Sequence, residues 1–331
     1  MAKVTKSETA SKSKATRHPS IQKAIINQEP VGRYIDPLTD FGFKHIFGTK
    51  EYLMDFLNAV LDIEGEIIDL QYDNTERTGR SKDDRTTYFD LYCTLATGES
   101  IILEMQYNHQ EFFKDRTLYY ASRLIQEQGE DQKGNKRWGY ELKPVFSVNI
   151  VNFALGASVD TVKAIDPPVD KYVSYVQLFD RDTLKVFYKK LTFIFLELPY
   201  FTRELDELLT PMDWWMYVLK NLAKLDRLPD ALRNNIFESL FSKAEIAKLS
   251  KKDRKEYDHS LKKIYDMNTI IADRERRIAE LDRILACSKR EIAELDREIA
   301  EMDREIADRD KRIAELERLY GVDSKQKSNY N

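Results

Sequence analysis

Apolar positions along the chain change period several times, and each change marks an element. In residues 51–61, Leu53, Phe56, Leu57 and Val60 fall at the three-and-four spacing of one helix face. Residues 66–72, with Ile67, Ile68 and Leu70, read as a strand. From Tyr88 to Gln106 the pattern alternates: Phe89, Leu91, Cys93 and Leu95 separate from Asp90, Tyr92 and Thr94, and Ile101, Leu103 and Met105 separate from Glu104 and Gln106. The break at Ala96-Thr97-Gly98, where glycine supplies a positive φ, predicts a hairpin in which residues equidistant from Thr97 face each other. Asp90 then lies opposite Glu104. Residues 112–128 read as a helix with Leu118, Ala121, Leu124 and Ile125 in phase, and 129–139 as a charged loop. The apolar run 145–153 predicts a central strand, and 172–179 and 191–198 extend the sheet. Two amphipathic helices follow at 211–225 and 230–241. Trp214, Trp215, Tyr217, Val218 and Leu222 share helical phase on the first, which points to core packing rather than base stacking.

Beyond Tyr257 a single period takes over. Ile264, Ile271, Ile278, Leu285, Ile292, Ile299, Ile306 and Ile313 recur every seven residues, and Met267, Leu281, Leu295, Met302 and Leu316 stand three later. This is an a/d seam, built on a nearly exact Ile-Ala-Glu-Leu-Asp-Arg-Glu repeat, and it predicts a coiled coil over 257–320. Residues 1–30, rich in Lys, Ser, Thr and Ala, read as a disordered basic tail, and 321–331 as a disordered polar one. The expected organisation is an α/β core over 31–200, a helical region over 201–256, then the coiled coil. Beside the seam the charges are uneven: Glu291 would face Asp296, and Glu298 would face Asp303, in a parallel homodimer. The expectation is a marginal homo-oligomer, tighter at high salt or near pH 4, or a heterotypic partner with basic flanks.

Composition narrows the chemistry. With 331 residues, 42% of them hydrophobic, the chain can bury at least one full core. The net charge of -4 does not suit indiscriminate coating of nucleic acid, so any DNA contact must come from a local patch. Cys93 and Cys287 are too few for a disulfide framework or a cysteine-based zinc site. No apolar run reaches the length of a membrane span, and the N-terminus lacks the apolar stretch of a signal peptide, so a soluble, cytoplasmic protein without membrane contact is expected. No phosphate-binding glycine loop, Gly-x-Ser-x-Gly or Cys-His signature supports nucleotide hydrolysis or acyl transfer.

The predicted hairpin carries the candidate chemistry. Two carboxylates held side by side repel unless a cation sits between them, and oxygen ligands of this kind suit Mg²⁺ or Mn²⁺. Gln106, on the same face, can orient a water or a phosphate oxygen. The layout Asp90…Glu104-Met105-Gln106 is similar to D-x(n)-E-x-Q, a variant of the D-x(n)-E-x-K signature of PD-(D/E)xK nucleases. The segments Asp36-Pro37-Leu38-Thr39-Asp40-Phe41-Gly42-Phe43-Lys44-His45-Ile46-Phe47-Gly48, Arg116-Thr117-Leu118-Tyr119-Tyr120-Ala121-Ser122-Arg123 and Ala244-Glu245-Ile246-Ala247-Lys248-Leu249-Ser250 extend the match over residues 33–270. Together they resemble the Rpn-type recombination-promoting nucleases and transposases.

That resemblance implies a PD-(D/E)xK, restriction-endonuclease-like core with the order α-β-β-β-α-β, and divalent-metal-dependent cleavage of DNA. Carried onto this chain, it implies Asp90 and Glu104 as Mg²⁺ or Mn²⁺ ligands, with Gln106 beside them. Glu51 is the candidate third carboxylate, with Asp40 and Asp55 as rivals. Lys44, Arg116 and Arg123 are candidate contacts to the DNA backbone. Gln106 departs from the commoner lysine: it carries no charge and cannot accept a proton as a base. The alternative expectation is a catalytically inactive fold serving as a DNA- or protein-binding module, with the coiled coil mediating assembly.

Overall fold

The turn Asp36-Pro37-Leu38-Thr39 sets the geometry of everything that follows it. In the computed structural model, which describes residues 32–77, 87–131, 139–155 and 171–320, the Thr39 hydroxyl donates to the Asp36 carbonyl at 2.8 Å and accepts from the Gly42 N–H at 2.9 Å. Thr39 thus caps helix α1 (Asp40–Phe47). Only glycine fits at 42, because a Cβ there would lie 2.0 Å from the Asp36 carbonyl oxygen. Helix α2 (Lys50–Val60) follows and, with α1, buries Phe43, Phe47, Leu53, Phe56 and Leu57. Residues from the far end of the same unit close the turn: the Asp36 N–H donates to the Tyr257 hydroxyl at 2.9 Å and the Phe41 N–H to the Ser260 hydroxyl at 3.3 Å.

Strands β1 (Leu70–Tyr72), β2 (Glu76–Arg77), β3 (Thr87–Tyr88), β4 (Leu91–Leu95) and β5 (Ser100–Gln106) lead to helix α3 (Phe113–Asp131). Strands β6 (Val145–Val151), β7 (Val173–Phe179) and β8 (Val186–Glu197) follow it. Six strands form one sheet in the order β1-β4-β5-β6-β8-β7, and β2 pairs with β3 apart from it. β4 and β5 are antiparallel with Leu91 opposite Leu103 and Cys93 opposite Ile101, a register centred on Thr97, and Gly98 adopts φ 98°. β5, β6 and β8 run parallel, and every residue of β6 is buried, as a central parallel strand requires.

The sheet separates two apolar layers. On one side Cys93, Leu95, Ile101, Leu103, Val148 and Ile150 pack with α1, α2, α4 (Pro211–Asn221) and α5 (Asn235–Ala244). On the other, Tyr92, Ile102, Val151 and Phe195 pack with Phe113, Ala121 and Leu124 of α3. Residues 201–256 therefore share the core of the sheet: Trp215 is 1% exposed among Phe47, Phe56 and Phe237. The tryptophan cluster is core.

Several elements differ from the sequence expectation, each for a local reason. Ile67 stays out of the sheet because the Asn58 side chain takes both its backbone groups, at 2.7 and 3.2 Å, so β1 begins only at Leu70. Phe89 joins Tyr92 in the α3 layer rather than Leu91 and Cys93, because the chain bends at Asp90 before β4. β8 begins five residues earlier than expected, at Val186, where its outer part pairs with β7. Helix α3 runs through Gly129 to Asp131. The helix expected over 230–241 is interrupted: Asn234 accepts from the Phe237 N–H at 2.8 Å and starts α5 afresh. The tails 1–30 and 321–331, most of the loop 129–139, and Arg80, Lys82 and Arg85 lie outside the described residues.

Helix α6 spans Lys251–Tyr320, and the chain divides into compact units after Ile264. Tyr257 and Ser260 belong to the first unit and are buried there. The second unit, described by itself, is helical from Tyr265 to Tyr320, and its seam residues from Ile278 to Leu316 stand open to solvent. Among the described residues no helix is long and apolar enough to cross a membrane.

Candidate active site

Strand pairing brings two acids to one end of the β4–β5 hairpin. Asp90 sits in the bend just before β4 and Glu104 near the end of β5, and each carboxylate binds the other's strand. Glu104 Oε1 accepts from the Asp90 N–H at 3.1 Å, while Asp90 Oδ2 accepts from the Met105 N–H at 2.9 Å. Glu104 is 4% exposed and belongs to the α3 face of the sheet, between Ile102 and Gln106. Burial, with the nearby Asp90 charge adding to it, pushes the Glu104 carboxyl up to about 8. Burial raises Asp90 as well, against the Met105 N–H and the charge of Lys44. Two acids that resist ionisation together form a site that a cation would relieve.

Helix α3 closes the site from above. Arg116 Nη2 donates to Gln106 Oε1 at 2.8 Å and stands 3.6 Å from Glu104 Oε2, while Nη1 donates to Gln110 Oε1 at 2.6 Å. Its guanidinium also lies over the rings of Phe113 and Tyr120, at 5.3 and 5.7 Å. The amide of Gln106 is thereby oriented, with Nε2 donating to the Asn108 carbonyl at 3.0 Å. Helix α1 contributes a second cation: Lys44 acts on both acids, and it is paired with Asp40 at 2.8 Å.

The remaining sequence candidates are placed elsewhere. Glu51 is exposed on the first turn of α2, where its charge acts on Tyr72. Asp55 accepts from Trp215 Nε1 at 2.7 Å, a core hydrogen bond. Asp40, the other rival, acts on Asp90 through its charge. Arg123 is 9% exposed, so its guanidinium is not presented to a DNA backbone, and Arg116 points into the site. Sequence reasoning missed Asn149 and Tyr120. Asn149 lies directly beside Glu104 in the β5–β6 register, buried, with its Oδ1 lacking a hydrogen-bond partner. Parallel pairing across the long α3 crossover leaves no local signal for it. Tyr120 stands in the sequence only inside the Arg116–Arg123 segment of the resemblance, with no role attached to it.

A metal ion fits this donor set, although among the described residues no group of three His, Cys, Asp or Glu surrounds one position. Asp90 and Glu104 offer carboxylate oxygens, and Mg²⁺ keeps water on its remaining positions. The buried Arg116 Nε and Asn149 Oδ1, both without hydrogen-bond partners, mark the site as polar beyond its own internal bonding.

A mixed sheet with an antiparallel hairpin entering parallel strands, helices on both faces and an Asp…Glu-x-Gln set at the hairpin's end defines a nuclease-like α/β protein. The sequence pattern of the PD-(D/E)XK nuclease family transposases matches residues 37–274, and the chain belongs to that family. Neither a curated protein nor a solved structure matches it.

Proposed function

We propose that the protein is a divalent-metal-dependent DNA endonuclease of the recombination-promoting, transposase-like type, hydrolysing phosphodiester bonds at Asp90, Glu104 and Gln106. The observation that supports this most is the Asp90–Glu104 pair, with Glu104 buried and each carboxylate held by a backbone N–H across the hairpin, an arrangement costly to a fold that has no use for it. A bound Mg²⁺ or Mn²⁺ would supply Lewis acidity and a more acidic water. Asp90 and Glu104 would hold that ion through their outward oxygens while the Asp90 and Met105 N–H groups fix the carboxylates in place. Gln106 positions a water by hydrogen bonding and takes no proton.

Arg116 restores the positive charge that the glutamine lacks. Its fork reaches Gln106 and Glu104 together, so a scissile phosphate brought to the pair meets a guanidinium already fixed by two rings and Gln110. Lys44, half exposed on α1 and acting on both acids by its charge, would steady the DNA backbone. Supercoiled plasmid incubated with Mg²⁺ or Mn²⁺ tests the reading: wild type nicks or linearises it and Asp90→Ala does not. Equal cleavage by the variant, or a wild type that binds DNA with no turnover in either metal, removes the nuclease assignment and leaves a binding module.

A further inference from the structure

We propose that the apolar seam of α6 is the docking surface for a helix of another protein, one whose own seam is flanked by lysine or arginine. Ile292, Leu295, Ile299, Met302 and Ile306 recur at alternating spacings of three and four, and each is more than half exposed. Apolar side chains repeated in this phase over several turns are one half of a helix pair.

Charge decides what the other half is. The outer face of the helix carries both signs: Arg290, Arg297 and Arg304 stand three or four residues from Glu294 and Glu301, a spacing at which opposite charges attract, and pairs at equivalent positions close at Asp273–Arg276, 3.8 Å, and Asp308–Lys311, 3.3 Å. The flanks of the seam do not. Glu291, Glu298 and Glu305 line one edge and Asp296, Asp303 and Asp310 the other; of these, Glu305 pairs with Arg309 at 3.9 Å. In a parallel pair of identical helices Glu291 meets Asp296, Glu298 meets Asp303 and Glu305 meets Asp310. Antiparallel copies set acid against acid over the same stretch. A second copy therefore brings repulsion along both edges, whereas a partner with basic edges turns every one of those contacts into an attraction. This inference is independent of the nuclease site.

The test uses the full-length protein and two labelled synthetic helices of four heptads, both with isoleucine at a and leucine at d, one with lysine and one with glutamate at e and g. Fluorescence anisotropy at low salt is expected to show the lysine helix binding at least ~10-fold more tightly, with the advantage shrinking as salt rises. Exchanging Glu291, Glu298 and Glu305 for lysine together should remove that advantage. The double variant Ile292→Asp, Ile299→Asp should abolish binding while circular dichroism still reports the helix. Equal binding of the two helices, or of neither, overturns the proposal. So does binding that survives the double variant, or sedimentation of the protein alone as a tight dimer indifferent to salt.

Discussion

The Arg116 guanidinium donates to the side-chain oxygen of Gln106 at 2.8 Å, binding the residue that departs from the commoner lysine to a cation supplied by another element. If Arg116 carries that charge during turnover, Arg116→Ala lowers kcat by about 10²–10³, the usual cost of removing one preorganised donor. Arg116→Lys keeps a charge but not the fork, and recovers only part of the loss. The corresponding change in KM is small, because the guanidinium faces the acids rather than open solvent. Steady-state cleavage of a fluorescent duplex separates the two constants, and a variant that raises KM alone would make Arg116 an ordinary DNA contact.

Metal binding should release protons. Glu104 holds its proton to about pH 8, so a divalent ion entering near pH 7 must displace it. Titration calorimetry with Mn²⁺ in buffers of different ionisation enthalpy should give a release approaching one proton per site in wild type and almost none in Glu104→Gln. Absence of any buffer dependence speaks against the pair as the metal site.

Stability should follow pH in the direction set by the same acid. The folded-state value of Glu104, about 8, lies above its ordinary 4.5, so the folded protein holds the proton more tightly than the unfolded chain does. The resulting stabilisation is complete below pH 4.5 and is lost as pH rises through 8. In chelator the protein is therefore expected to melt at a lower temperature at pH 9 than at pH 6, and Glu104→Gln should flatten that dependence. Thermal denaturation followed by circular dichroism checks both; an unchanged slope in the variant places the titration elsewhere.

Gly42 should not tolerate alanine. A Cβ 2.0 Å from the Asp36 carbonyl forces the entry turn apart, a strain of about 1–3 kcal/mol by the measure of overpacked sites. Because α1 carries Lys44 and Asp40, cleavage activity should fall beyond what the unfolded fraction explains. Urea denaturation gives the stability, and activity at a temperature where the variant is fully folded gives the second effect. Wild-type stability in Gly42→Ala contradicts the turn's geometry.

Much of this architecture is legible in the sequence where the decisive interactions are local. The hairpin register needs only a three-residue break and a glycine free to adopt positive φ, and Gly98 supplies both. The seven-residue period of α6 is equally short-range. What sequence could not show depends on partners far along the chain. Ile67 has strand character, yet Asn58 takes its backbone. Arg123 shares a helix face with Arg116, but packing buries the one and turns the other toward Glu104. Glu51 is the expected third acid and Asp40 a rival, yet it is the Asp40 charge, on a different helix, that acts on Asp90. Glu104 faces α3 and is 4% exposed, so replacing it alters folding energetics as well as chemistry.

The clasp that joins Asp36 and Phe41 to Tyr257 and Ser260 has a consequence for the order in which the protein is made. The Ile35 N–H also donates to the Ala244 carbonyl, and the Ile246 N–H to the Arg33 carbonyl, so the first described segment of this unit is held by its last. A ribosome releases the hairpin with Asp90 and Glu104 long before it releases these partners. Until residue 260 has emerged, the turn that launches α1, and carries Lys44 and Asp40 after it, lacks its bonds to Tyr257 and Ser260. A prematurely terminated chain therefore carries the acidic pair without the clasp that anchors α1.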